Sequence, residues 1–151
     1  MFENHLSGKL PDSLGGLTSL TDLRCNSNRL SGPIPSALAQ CVNLKTLNLQ
    51  KNNFTGNVNE DVLMNCIRLR DLRLWSNKLT GALTPEIESL RFLEVLLLHQ
   101  NQISWVIPPS LGKCEHLVKL DLSKNKLRGE LPKTFGSLQK LESLNVSNNP
   151  R

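Results

Sequence analysis

The stretch Leu117-Val118-Lys119-Leu120-Asp121-Leu122-Ser123-Lys124-Asn125-Lys126-Leu127-Arg128-Gly129-Glu130-Leu131-Pro132 decides the fold. Leu120 and Leu122 alternate with polar residues, the period of a short strand with one buried face. Three residues on, Asn125 carries two N–H donors and a carbonyl acceptor, enough to satisfy backbone groups of adjoining chain if the amide turns inward. Gly129 then marks a backbone turn into which a side chain does not fit easily. Working outward, the asparagine returns at Asn4, Asn28, Asn52, Asn77, Asn101, Asn125 and Asn149, 24 residues apart except for one step of 25 between Asn52 and Asn77. A fixed period of this length means stacked units, each hiding its apolar face against the next.

The pattern L-x-x-L-x-L-x-x-N-x-L fills slot by slot. The second leucine slot holds Leu23, Leu47, Leu72, Leu96, Leu120 and Leu144, and the third holds Cys25, Leu49, Leu74, Leu98, Leu122 and Val146. The stacked Asn28, Asn52, Asn77, Asn101, Asn125 and Asn149 are expected to form a ladder of side-chain amides. The return segments carry apolar residues at three-residue spacing, as in Leu14, Leu17, Leu20 or Ile87, Leu90, Leu93, which suits one turn of 3₁₀ or α-helix over the same core. The extra residue of the long period falls around Glu60 to Met64. The expected architecture is an α/β repeat solenoid: a parallel sheet on the concave side, short helical returns opposite, and about six repeats forming one unit over residues 1–151.

The cysteines fill apolar slots. Cys25 stands in the strand and Cys41, Cys66 and Cys114 in the middle of the helical return, never as a C-x-x-C pair, so they read as small buried hydrophobes with no metal implied. Cys41 and Cys66 lie in adjacent repeats, which leaves a disulfide between them conceivable. No run approaches the roughly 20 apolar residues of a membrane span, and Met1-Phe2-Glu3-Asn4-His5 has neither the basic start nor the apolar core of a signal peptide.

Beyond the asparagine each period reads x-L-x-G-x-I-P, as in Leu30-Ser31-Gly32-Pro33-Ile34-Pro35. On these residues the chain resembles the plant-type leucine-rich repeat over essentially its whole length. The glycine slot holds Gly8, Gly32, Gly56, Gly81 and Gly129, with Trp105 in the remaining repeat; the proline slot holds Pro11, Pro35, Pro108 and Pro132, with Asn59 and Thr84 departing. The resemblance implies a second small strand near the G-x-I-P segment and an overall superhelical twist. It also implies caps with paired cysteines, which are not visible here. Met1 falls in the third leucine slot of a unit that would begin upstream, and Arg151 lies two residues past Asn149, so the chain reads as a segment of a longer repeat domain.

Function is expected on the concave strands, whose outward side chains the core does not dictate. Most of these are small and polar. Trp75, Val95, Leu97 and His99 are not, and with Arg73, Asp121 and Ser123 they form a candidate ligand-binding patch across adjacent repeats. His99 titrates close to the mildly acidic range of a plant wall, which makes it a candidate pH sensor. His99, Asp121 and Ser123 also invite a triad reading, but Asp121-Leu122-Ser123 fits the strand scaffold L-D-L-S-x-N, and no phosphate loop or H-E-x-x-H occurs, so no catalysis and no cofactor are expected. Trp105 is expected on the lateral edge, packed over a neighbouring repeat, with a lateral contact as the alternative.

The net charge is +5, from 18 basic and 13 acidic residues. On the concave strands Arg24, Lys45, Lys51, Arg70, Arg73, Lys119 and Lys124 face Asp22, Asp71, Glu94, Asp121 and Glu142, seven against five, with the signs interspersed, so no nucleic-acid stripe is expected there. A basic repeat protein still suits acidic partners such as wall pectin or acidic enzymes. Of two sequons, Asn53-Phe54-Thr55 and Asn145-Val146-Ser147, the first is the better glycosylation candidate because Asn145 lies on the concave sheet. The resemblance implies an extracellular receptor-kinase or receptor-like-protein ectodomain segment that recognises a protein or peptide ligand, with a possible co-receptor. The alternatives are a secreted polygalacturonase-inhibitor-like protein and a repeat scaffold with no ligand.

Overall fold

A computed structural model describes residues 4–58 and 60–150. Met1 and Asn59, assigned above to the third leucine slot and the proline slot, lie outside the described residues. Six three-residue strands, Asp22–Arg24, Thr46–Asn48, Asp71–Arg73, Val95–Leu97, Lys119–Asp121 and Ser143–Asn145, form one parallel sheet in chain order. Their register sets Leu23, Leu47, Leu72, Leu96, Leu120 and Leu144 side by side, so period-two alternation sends one row of leucines inward across the whole sheet. The strands are short because the chain leaves the sheet at the position before each asparagine. There Ser27, Lys51, Ser76, Gln100, Lys124 and Asn148 all take φ between 52° and 57°, a left-handed step that swings the next side chain inward.

Each asparagine ties its own repeat to the one before. Asn101 Nδ2 donates to Leu98 O and to Leu74 O in the preceding repeat, both at 3.0 Å, and its Oδ1 accepts the Leu79 N–H at 3.0 Å. Asn28, Asn52, Asn77, Asn125 and Asn149 accept from Leu6, Leu30, Phe54, Ile103 and Leu127 in the same manner. Leu49, Leu74, Leu98 and Leu122 each offer one carbonyl to two successive asparagines. The amides form one column through the stack, satisfying backbone groups that an apolar interior otherwise leaves unpaired.

Lateral to the concave sheet, Ser7–Gly8, Arg29–Pro33 and Asn53–Thr55 form a second parallel sheet. Ser104–Val106 pairs with Lys126–Arg128, and a bridge joins Ala82 to Ser104. The returns Asp12–Gly16, Ser36–Gln40, Pro85–Ser89, Pro109–Lys113 and Lys133–Ser137 are 3₁₀ helices, whereas Glu60–Asn65 is α-helical. The added residue of the long period accounts for the difference: Cys66 N–H reaches back four residues to Val62 O, where Cys41 N–H reaches three to Leu38 O.

Leu38, Leu44, Leu63, Leu69, Ile87 and Leu93 are among the fully buried residues of a continuous core, each burial worth about 1.5–3 kcal/mol. All four cysteines are free, Cys41 and Cys66 included. The return-segment thiols are more than small hydrophobes: Cys41 Sγ donates to Leu14 O, Cys66 Sγ to Leu38 O and Cys114 Sγ to Ile87 O, at 3.3–3.4 Å, each linking its turn to the preceding one. No helix among the described residues is long and apolar enough to cross a membrane, and no cluster of potential metal ligands occurs among them.

Candidate ligand-binding face

The sheet register places the candidate residues in three adjoining repeats. Arg73, Leu97 and Asp121 are direct partners in one row, and Asp71, Val95 and Lys119 in another. One step along the chain, Trp75 and His99 stack with ring centroids 4.9 Å apart and planes 13° from parallel. From the preceding repeat Lys51 Nζ sits 5.1 Å from the Trp75 ring centroid, a cation–π distance. Trp75 is therefore covered on one face by an imidazole and on the other by an ammonium. It is half-buried.

His99 Nδ1 lies 3.5 Å from Asp121 Oδ2, an ion-pair distance if the ring is charged, yet it makes no hydrogen bond among the described residues. Burial lowers the His99 pKa below its ordinary value; Asp121 pulls it up and Lys124 pushes it further down. The neutral ring that stacks on Trp75 thus persists further into acid than a free histidine, which moves the sensor range below the one its residue type implies.

Asp121 is engaged elsewhere. Its Oδ1 accepts Ser123 N–H at 2.9 Å and Ser123 Oγ–H at 2.6 Å, and its Oδ2 accepts Asn145 Nδ2–H at 3.2 Å. Ser123, expected on the ligand-facing surface, is only 4% exposed beneath this network and is not on the face. Its hydroxyl is given to the carboxylate and not to a histidine nitrogen, an arrangement that does not activate a nucleophile. Arg73 Nε likewise pairs with Asp71 at 2.8 Å, so its charge is partly neutralised. Val95 and Leu97 remain half-exposed beside Trp75, giving an apolar strip with a paired charge on each side. Asn53 stands on the lateral sheet, half-buried, outside this face.

Lys51 is the residue of this site that sequence reading passed over. It was visible as an outward position, but its reach across to Trp75 depends on the left-handed step before Asn52. Trp105 departs from expectation in the other direction. It is 68% exposed and does not pack over a neighbouring repeat, because φ of +74° projects its side chain away from the stack.

A family described as "Leucine-rich repeat region" matches residues 19–150. The chain belongs to the leucine-rich-repeat family. Among solved structures, this leucine-rich-repeat chain superimposes on the ectodomain of the plant membrane receptor kinase GASSHO1/SCHENGEN3 from Arabidopsis thaliana, in complex with CASPARIAN STRIP INTEGRITY FACTOR 2, with TM-score 0.95 and 36% identity, covering 99% of this chain and 18% of that one. It matches the Arabidopsis receptor kinase HAESA, in complex with the peptide hormone IDA and the co-receptor SERK1, with TM-score 0.93 and 36% identity over 99% of this chain and 25% of that one. The plant peptide hormone receptor RGFR1 in complex with RGF2 gives TM-score 0.93 and 34% identity over 95% and 23% of the two chains. This chain therefore spans about a fifth to a quarter of these receptor chains. No curated protein sequence matches it.

Proposed function

We propose that this chain is a ligand-binding segment of an extracellular plant receptor ectodomain, with the concave strip around Trp75 as a contact for a peptide. The observation that carries the reading is the Lys51–Trp75–His99 sandwich. It immobilises a large aromatic side chain next to Val95 and Leu97, so a partner meets a preorganised anchor and loses little side-chain entropy on binding. Arg73, Asp121 and His99 flank the strip and suit a ligand that carries both an apolar side chain and polar backbone groups. The peptide-bound receptors it resembles support the same reading, as does a face whose hydroxyl and carboxylate groups are spent on one another.

The test is titration of the chain, and of its Trp75→Ala and Leu97→Ala variants, with the peptides held by those three receptors. Binding of one peptide that falls at least about tenfold in both variants, with melting preserved, supports the reading. Binding indifferent to both substitutions refutes it. Potent inhibition of a fungal polygalacturonase would instead favour the inhibitor reading.

A further inference from the structure

The lateral face carries a second, independent set of features. Positions one, three and five after each asparagine point out from this side, and their exposed charges are Lys9, Arg29, Lys78, Lys126 and Arg128 against Glu130. Five minus one is +4, most of the net +5 of the whole chain. None of the five cations enters an ion pair among the described residues, whereas Arg24, Arg70 and Arg73 on the concave side and Lys113 on the return side all do. On the concave strands the signs are interspersed and three of the seven cations are paired with carboxylates; on the lateral face none of the five is.

Trp105 rises from this basic lane. In the described repeats the same position is otherwise glycine at φ of 77° to 88°, a left-handed conformation glycine adopts freely; Trp105 holds it at 74° with a bulky side chain. Gly81 and Gly129 hold the same position in the adjoining repeats, where Asn57 and Val106 of the preceding repeats lie over them. Ala82, joined to Ser104 by a bridge, is the smallest of the residues that elsewhere lean over the next repeat's glycine, as Lys9 does over Gly32 and Val106 over Gly129. No ring stacking or cation contact among the described residues involves Trp105, in contrast to Trp75. A strained residue displaying an uncovered aromatic surface points to contact with something outside the chain.

We propose that this lateral face binds a linear acidic polysaccharide, a polyuronate, whose pyranose rings stack on Trp105 and whose carboxylates run along Lys78, Lys126 and Arg128. Three features favour this occupant over an acidic protein. Arg29, Lys78 and Lys126 share one position in alternate repeats, about two strand spacings of roughly 4.8 Å apart, with Arg128 two residues along from Lys126 on the same strand, a spread that suits an extended charged chain better than a compact patch. The exposed indole of Trp105 admits a flat ring, whose C–H groups are attracted to the negative face of the indole. The surface beside it is lined by small residues, among them Thr80 and Ser104. The lane is separate from the concave strip, so this inference does not depend on the peptide reading.

The experiment measures binding of de-esterified polygalacturonate, fully methyl-esterified pectin and polyglutamate to the chain and two variants. Trp105→Gly restores the residue found in the neighbouring repeats and is expected to fold. Lys126→Ser combined with Arg128→Ser removes two cations without touching the core. Polygalacturonate is expected to bind, at least about tenfold tighter than either the ester or polyglutamate. Trp105→Gly is expected to reduce that binding at least about tenfold, and the double serine variant both to weaken it and to flatten its dependence on salt. Peptide binding on the concave side should not change in either variant. Polyglutamate binding as tightly as polygalacturonate would point to an acidic protein partner and overturn the sugar assignment. Polygalacturonate binding untouched by Trp105→Gly, or no binding at low salt, would overturn the proposal altogether.

Discussion

Trp75 and His99 stack almost in parallel, one strand apart, with ring centroids separated by 4.9 Å. The stack sets the protonation of the histidine as well as its position. Desolvation disfavours the imidazolium, and the Asp121 carboxylate 3.5 Å away offsets this only in part while Lys124 opposes it. The folded-state pKa lies below the ordinary 6.5. By linkage, the stability contributed by keeping the ring neutral is fully present above the unfolded value and is lost as pH falls through the folded one. Wild type should therefore lose more stability than His99→Gln on going from about pH 7.5 to about pH 5. Paired melts and a ring-proton NMR titration check this; a His99 midpoint at or above that of a free histidine would contradict it.

The amide column makes a sharper energetic statement. In Asn101→Ala four hydrogen bonds disappear, but Leu98 O keeps Asn125, Leu74 O keeps Asn77 and His99 O keeps the Ser76 N–H as donors. Only the buried Leu79 N–H is left with no partner. The expected loss is that of one orphaned buried donor, about 1–3 kcal/mol, not four times as much. Chemical denaturation measures it, and a loss under about 0.5 kcal/mol would mean that water or a backbone shift replaces the amide.

These amides were legible in the sequence because their spacing and the leucine alternation are both consequences of one stacked unit. The leucine rows, the helical returns and the inward asparagines follow from periodicity, which needs no knowledge of side-chain reach. Lys51 over Trp75 and Ser123 beneath Asp121 were not legible, since both depend on how a side chain leaves a left-handed or hydrogen-bonded backbone. The lateral cations were legible but uncounted: Lys78, Lys126 and Arg128 are at fixed offsets from the asparagines, and a charge tally restricted to the concave strands left them out. Trp105 showed its slot but not its direction, because its packing depended on a φ value the sequence does not state.

The thiols should divide by burial. Desolvation raises the Cys66 pKa to about 11 and that of Cys114 to about 12, each with a smaller contribution from a neighbour, Cys41 and Glu88 respectively. Near pH 8 the thiolate fraction at Cys114 is on the order of one in ten thousand. Cys25, half-exposed just past the first strand of the concave sheet, should be alkylated first in the native protein, with Cys66 and Cys114 silent until unfolding. Timed alkylation followed by peptide mapping reads the order, and labelling of Cys114 as fast as Cys25 would show that the stack opens there.

Of the two sequons, Asn53 should carry the glycan in secreted protein. Asn145 Nδ2 already donates to Asp121 Oδ2 and Ser123 Oγ, and its Oδ1 accepts Ser147 N–H, so a sugar on that nitrogen would dismantle the network below the concave strip. Asn53 stands on the lateral sheet, away from that network. Glycopeptide mass spectrometry should find occupancy at Asn53 and little at Asn145; the reverse would mean that the concave network forms only after modification or not at all.

Trp105→Gly should stabilise the chain slightly while removing the most exposed aromatic among the described residues. Two terms compete. Relieving a left-handed conformation at a bulky residue gains about 1–2 kcal/mol, and the extra freedom glycine gives the unfolded chain costs about 0.5–1 kcal/mol. The indole adds little to this balance because it is 68% exposed. The net gain expected is about 0.5 kcal/mol. Trp105→Ala separates the terms: it deletes the indole but keeps a Cβ at φ of +74°, so its stability should stay close to wild type. Denaturant midpoints of the three proteins measured side by side test the ranking. If both variants lose more than about 1 kcal/mol, the indole is packing against the stack; if glycine alone gains, the tryptophan is held at a cost to folding, for contact with something beyond the chain.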